Sequence, residues 1–201
     1  MKAYYDRRAP EYDEWYLGSG RFAERDRPGW EAEVEGLRRA LEGLPPARTL
    51  DVACGTGFLT RHLPGEVVGL DQSASMLEEA RPQAPQTTFL EGDAVTLPFE
   101  DCTFDRVFTA HFYGHLEHDE RERFLGEASR VAKELVVADS ALRPDVEPEE
   151  RQERILNDGS RWEVYKRYFS AEELAQELGG GETLFAGRWF VAGRWFVAVR
   201  A

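Results

Sequence analysis

Cysteine is nearly missing from this chain. Two residues, Cys54 and Cys102, in 201 positions cannot build a disulfide framework, so the fold must hold by its core. No run of 18 apolar residues occurs, which excludes a membrane-spanning helix. The first residues, Met1-Lys2-Ala3-Tyr4-Tyr5-Asp6, contain no apolar signal region. Together these absences lead to the expectation of a cytoplasmic protein with no membrane insertion. Basic residues are also in deficit, with 25 Lys and Arg against 38 Asp and Glu and a net charge of -13. Phosphate backbones bind basic surfaces, so nucleic acid is not an expected partner. No His-Glu-x-x-His arrangement and no paired Cys motif accompany the four histidines, and no metal is expected.

The most informative stretch is Leu50 to Thr60. The apolar run Thr49-Leu50-Asp51-Val52-Ala53 reads as a short buried strand. It breaks into Cys54-Gly55-Thr56-Gly57 and restarts as an expected helix over 57–63. Two glycines one residue apart let the backbone turn sharply and approach a ligand. The N–H groups of a following helix would point into that turn. A dinucleotide fingerprint needs a third glycine and an acid about 20 residues on. Here Thr60 stands at the glycine position, and Asp71 comes early, at the end of Val67-Val68-Gly69-Leu70. Asp71 can accept hydrogen bonds from both hydroxyls of a ribose. A ligand with a ribose but no pyrophosphate fits these residues better than a dinucleotide.

Strands near 48–53, 66–71, 87–91, 104–110 and 134–139 alternate with helices near 57–63, 73–81, 119–131 and 171–178. That rhythm predicts βαβ units and a parallel sheet. An earlier helix carries Val34, Leu37, Leu41 and Leu44 at helical spacing and stops at Pro45-Pro46. Ser170 and Glu173 form a capping box for the last helix. The charged, proline-punctuated stretch after Ala141 interrupts the rhythm. The C-terminus repeats GRWFVA at 187–192 and 193–198, which reads as two edge strands joined at Gly193-Arg194. Trp189-Phe190 and Trp195-Phe196 are expected in the sheet. Exposed, they would form a dimer patch, and both a monomer and a homodimer remain open.

Four segments carry a family resemblance: LDVACGTGFLT, VVGLDQSASML, FLEGDAVTLPFEDCTFDRVFTAHFYGHL and YYDRRAPEYDEWY. In this order and spacing they resemble the class I S-adenosylmethionine (SAM)-dependent methyltransferases of the small-molecule type. That group includes the ubiquinone and menaquinone methyltransferases. The resemblance implies a Rossmann-like α/β fold. Its seven-stranded, mostly parallel sheet would end in an antiparallel hairpin, with helices on both faces and an N-terminal helical lid. It implies a single domain over 1–201: a lid (1–45), a SAM-binding core (46–140), an insertion covering substrate (141–168), and a last helix and hairpin (169–201).

The resemblance also implies roles. Asp51 and the turn Ala53, Cys54, Gly55 and Gly57 run beneath the amino-acid part of SAM. Asp71 takes the ribose, with Gln72 beside it. Asp93 and Ala94 read the adenine edge, His111 touches the methionine part, and Tyr12 faces the ligand from the lid. Met76 either packs its thioether on the adenine or belongs to the core. Three of the four histidines, His111, His115 and His118, fall just after the fourth strand, where α/β sheets bind ligands. His115 is the candidate base and Tyr113 a candidate pocket residue. Tyr5, Tyr165 and Arg167 are candidates for contacting a small-molecule acceptor. No Asn-Pro-Pro-Tyr motif follows the fourth strand, which weighs against nucleobase or glutamine N-methylation. Two rival readings stand beside methyl transfer. One is a SAM-binding sensor without catalysis. The other is a nicotinamide-dependent oxidoreductase, against which Thr60 and Asp71 both count.

Overall fold

The computed structural model describes residues 1–196. Five strands run parallel in one sheet: β1 (Ala47–Val52), β2 (Gly65–Asp71), β3 (Thr88–Glu91), β4 (Phe104–Ala110) and β5 (Ala132–Ser140). The short hairpin β6 (Glu149–Ile155) and β7 (Arg161–Arg167) stands apart as a two-stranded sheet. Strands β8 (Glu182–Ala186) and β9 (Phe190–Phe196) return to the main sheet antiparallel. The main order is β3-β2-β1-β4-β5-β9-β8. The order reverses between β1 and β4, and the crevice beyond their carboxyl ends is where such sheets take ligands.

Helices cover both faces: α1 (Lys2–Arg8), α2 (Glu14–Leu17), α3 (Trp30–Glu42), α4 (Ala74–Gln83), α5 (His118–Val131) and α6 (Ala171–Glu177). Alternation along the strands divides the core. Leu135 and Val137 face α5 and α6, through Phe124, Ala128 and Leu174. Their neighbours Val136 and Ala138 face α3, through Trp30, Leu37 and Leu41. The helix spacing anticipated over Val34–Leu44 is thus the buried stripe of α3. Ser73 caps α4, its hydroxyl accepting from the Met76 N–H at 3.2 Å. The Ser170–Glu173 capping box is present, at 2.9 and 3.1 Å.

Two expectations are corrected. The stretch 57–63 holds no α-helix, only a 3₁₀ turn at Thr60–His62. Gly55 and Gly57 sit at φ 56° and 77°, and Pro64 blocks the residue before it from helical backbone. Seven positions separate Gly57 from β2, too few for a helix and a return. The GRWFVA repeat forms no hairpin at Gly193-Arg194. Gly193 lies inside β9, paired with Val137 on one side and Thr183 on the other. The hairpin turn instead lies at 187–189, where Glu33 accepts from the Arg188 and Trp189 N–H groups, both at 2.8 Å. Trp189 and Phe190 are buried in the core beside α3, while Phe196 is exposed. The rest of the second copy lies outside the described residues.

The N-terminal segment and the β6–β7 hairpin pack on each other. Tyr4, Leu156 and Val164 make a small core of their own, with Trp162 at 5.8 Å from Tyr4. Asn157 donates its N–H to Glu11 at 2.6 Å, and Arg7 pairs with Asp158 at 2.9 Å. Together they roof the carboxyl ends of β1 and β4.

Candidate active site

Two strained residues mark the switch point. Ala53, just after β1, has φ 57°, and His111, just after β4, has φ 52°. Left-handed backbone costs a residue with a Cβ about 1–3 kcal/mol and gathers at functional sites. The His111 N–H is held by the Ala138 carbonyl at 2.9 Å.

A cavity of about 270 Å³ opens beneath the lid, along the ends of β1, β2 and β4. Ala53, Gly55, Asp71, Gln72, Met76, Asp93, Ala94 and His111 line it, with Tyr5 and Tyr12 from the lid and His115 from below. Asp71 holds the floor, accepting from the Gly55 N–H and the Ser73 N–H, each at 2.9 Å. Burial raises its pKa against those hydrogen bonds. Gly55 has both a positive φ and an N–H aimed at Asp71, so a side chain there is strained. Met76 is buried in the wall of this cavity.

Several expected residues lie elsewhere. Asp51 and Cys54 face a separate small recess, and the Asp51 carboxylate is taken by the Thr60 hydroxyl at 2.6 Å. Burial pushes Asp51 up to about 8. Gly57 packs against Ala80 instead of lining the cavity. Tyr113 points away from the cavity: its hydroxyl donates to Glu177 at 3.0 Å and its ring packs near Phe124 and Phe169. Arg167 is committed to Glu177 and Glu149. Tyr165 offers only its carbonyl, to His115. On β7 the inward residues are Trp162, Val164 and Lys166, and the odd-numbered Tyr165 and Arg167 fall on the other face. His118 is exposed, beside Asp119 and Glu122.

The two remaining histidines are neutral, His111 buried and His115 half-buried. The His115 Nδ1 lies 2.6 Å from the Tyr165 carbonyl, which can only accept. Nδ1 therefore carries the proton, and Nε2 keeps a lone pair. Burial holds the His115 pKa well below its ordinary value, and nearby Lys166 and Arg154 add to that. His111 sits in an aromatic cage, 4.7 Å from Trp15 and 5.5 Å from Phe190, and neither ring nitrogen has a hydrogen-bond partner. Burial pushes it down to about 3, although Asp139 pulls the other way. Among the described residues, no group of three or more His, Cys, Asp or Glu is disposed to hold a metal.

Features the sequence did not reveal hold the lid down. The Thr56 hydroxyl donates to Asp13 at 2.5 Å, and Gln83 donates to the same carboxylate at 2.7 Å. Ser73 donates to Asp6 at 2.6 Å, and Lys2 pairs with Glu91. Tyr16 stacks on Phe58 at 4.1 Å. Below, the buried pair Lys166–Asp139 lies against the Gly114 N–H, which donates to Asp139 at 2.8 Å. Burial raises Asp139, but Lys166 and His111 override it and hold the carboxyl below its usual range.

A second, larger cavity of about 640 Å³ adjoins the first. Tyr5, Tyr12, His111 and His115 line both.

Residues 49–134 match a family profile described as a methyltransferase domain. Over that stretch, under half of its length, the chain is similar to methyltransferases of the class I, SAM-dependent type. It is similar to the demethylmenaquinone methyltransferase of Thermotoga maritima, at 40% identity over 93 residues, 44% of this chain and 40% of that protein. It is similar to the 2-phytyl-1,4-naphtoquinone methyltransferase of Trichormus variabilis, at 33% identity over 66% of this chain and 60% of that protein. The chain spans about half or less of the length of the first curated relatives it matches. Among solved structures, a DhpI–SAH complex superposes with a TM-score of 0.74 at 28% identity, covering 98% of this chain and 95% of that one.

Proposed function

We propose that this chain transfers the methyl group of SAM to a small-molecule acceptor. The observation that supports this best is the pair of cavities meeting at Tyr5, Tyr12, His111 and His115. One cavity suits a nucleoside and the other an acceptor. The residues fit SAM: Asp71 offers carboxylate lone pairs for a ribose, Met76 and Leu70 offer an apolar face, and His111 lines the same wall. SAM supplies a methyl group on a sulfonium, which departs as a thioether when a nucleophile attacks in line.

The chain's own work is positioning and exclusion of water. Asp71 and Gln72 hold the ribose side, and Asp93 and Ala94 the adenine edge. Ala53 and Gly55 bring backbone groups close to the amino-acid end. Tyr12, with the Arg8 guanidinium 5.1 Å from its ring, closes the cavity from the lid. The lid segment and the β6–β7 hairpin close over both cavities. His115, neutral with Nε2 free, accepts a hydrogen bond; with a conjugate acid well below neutral it is a poor store for a proton.

Calorimetric titration with S-adenosylhomocysteine (SAH), with NADH as control, tests the cofactor assignment. Micromolar SAH binding without NADH binding is expected. NADH binding alone would overturn the reading in favour of an oxidoreductase. The sensor alternative falls once methyl transfer from SAM is detected to any acceptor in a metabolite screen.

A further inference from the structure

The second cavity is strongly cationic in a chain whose net charge is -13. Guanidinium groups reach it from three stretches: Arg8 ends α1, Arg21, Arg25 and Arg27 follow α2, and Arg154 lies on β6. None of these five forms an ion pair among the described residues. The three other cations on the wall are already matched: Arg143 by Asp145, Arg151 by Glu117 and Glu163, and Lys166 by Asp139. Of the two acids on the wall, one is ion-paired and the other is a single unpaired carboxylate against five unpaired guanidinium groups. Glu153 pairs with Arg161, and Glu150 accepts from Gln152 at 2.7 Å.

Four of the five are held in place by uncharged hydrogen-bond partners, and Arg25 lies over the Phe22 ring at 4.7 Å. Arg8 donates to the Tyr4 hydroxyl at 2.5 Å, is buried, and leaves its Nε without any partner. Arg154 donates to Tyr4 and Gln152 at 3.4 and 3.2 Å. Arg21 and Arg27 donate to the carbonyls of Leu156 and Trp15. Partial desolvation of the otherwise exposed Arg25, then the fields of Arg154, Arg8 and Arg21, lower its pKa. Gathering like charges without counter-ions destabilises a fold, and a buried, unsatisfied guanidinium nitrogen adds to the cost. The arrangement is offset once an anion fills the space. Guanidinium forks match phosphoryl and carboxylate oxygens in pairs of parallel hydrogen bonds.

We propose that the methyl acceptor is a small oxyanion, of the phosphoryl or carboxylate class, gripped by Arg8, Arg21, Arg25, Arg27 and Arg154. This rests on the methyltransferase reading for the word acceptor, but the anion site itself does not. Tyr5, Tyr12, His111 and His115 form the wall it shares with the nucleoside cavity, so an anion held by the arginines lies next to the reacting end. A neutral, apolar acceptor would leave all five cations unmatched.

The test is calorimetry on the full chain, with and without saturating SAH. Three probes are used: inorganic pyrophosphate, succinate and the neutral 1,4-naphthoquinone. Pyrophosphate or succinate should bind, and the stronger of the two names the class. Affinity should fall as salt rises. Arg25→Ala, at an exposed position that disturbs no core, should weaken the anion about tenfold, the scale of one charged hydrogen bond. Arg154→Gln should weaken it further, while SAH affinity stays near that of the wild type in both variants. Failure of both anions to bind, an anion affinity unchanged in Arg25→Ala, or binding of naphthoquinone alone overturns the proposal. Anion binding without SAH binding supports the anion site and refutes the cofactor assignment. SAH binding without anion binding does the reverse.

Discussion

The Thr56 hydroxyl donates to the Asp13 carboxylate at 2.5 Å, fastening the glycine turn after β1 to the segment that roofs it. Gln83 donates to the other oxygen of Asp13 at 2.7 Å, so one side chain gathers the turn, α4 and the lid. Asp13→Ala removes both bonds at once. Hydrogen bonds to charged groups are worth about 1.5–3 kcal/mol each, so SAH affinity should drop about tenfold or more. Calorimetry measures this. A double-mutant cycle with Thr56→Val should show that the two losses do not add. Additive losses would mean the latch is not a unit.

Asp71 carries a separate prediction. Its carboxylate accepts from Gly55 and Ser73, so Asp71→Ala strips the floor of the nucleoside cavity and unties the turn. SAH affinity should fall by about a hundredfold, the sum of two charged hydrogen bonds. Asp71→Asn should fall between wild type and Asp71→Ala. Equal affinities in all three proteins would remove Asp71 from the ligand site.

A half-buried, neutral histidine makes a pH prediction with a definite sign. His115 has a folded pKa well below the unfolded value of about 6.5. Below that unfolded value the unfolded chain binds a proton that the folded chain refuses, so the stability His115 gives the wild type is lost as pH falls. Glutamine does not titrate. The stability difference between wild type and His115→Gln should therefore move towards the variant by about 1.4 kcal/mol per pH unit below pH 6.5. It should stay flat above pH 7.5. Urea unfolding at pH 8, 6.5 and 5.5 reads this directly. A flat difference throughout would mean the ring is exposed.

The Lys166–Asp139 pair is buried on both sides, at 3% and 0% exposure. Asp139→Asn keeps an acceptor for the Gly114 N–H but leaves the lysine charge unmatched. A loss of about 3–5 kcal/mol is expected in denaturant unfolding. Adding Lys166→Met should recover much of it. If the single change is harmless, the ammonium reaches solvent through the second cavity.

The parallel strands and the core helix faces were legible because period-two and period-3.6 patterns are local. Leu37, Leu41 and Leu44 declare a buried stripe within eight residues, and Asp71 declares itself by standing at the tip of an apolar run. The helix expected over 57–63 failed because Pro64 and the short return to β2 outweigh the propensity of Phe58-Leu59. Tyr165 and Arg167 were placed on the acceptor because nothing local reveals which face of β7 turns inward. That depends on Val164 finding Tyr4 more than 150 positions away. The arginine cavity was invisible for the same reason. Arg8, Arg25 and Arg154 are unremarkable singly in an acidic chain and converge only when the hairpin meets the lid.

The repeated hexapeptide at the C-terminus has an arithmetical consequence. Deleting Gly187–Ala192 and deleting the six residues that follow give the same polypeptide, so a replication slip cannot be assigned to either copy. In that shortened chain Trp189 and Phe190 keep their places beside α3, because every residue through 192 is unchanged. Position 194 is again arginine, able to meet Glu182 and Glu134 as before. Position 193 becomes valine, and its Cβ would stand 3.3 Å from Leu178 and 3.6 Å from Leu174. Six being even, a gain or loss of one copy leaves the face pattern of β9, held between β5 and β8, in phase.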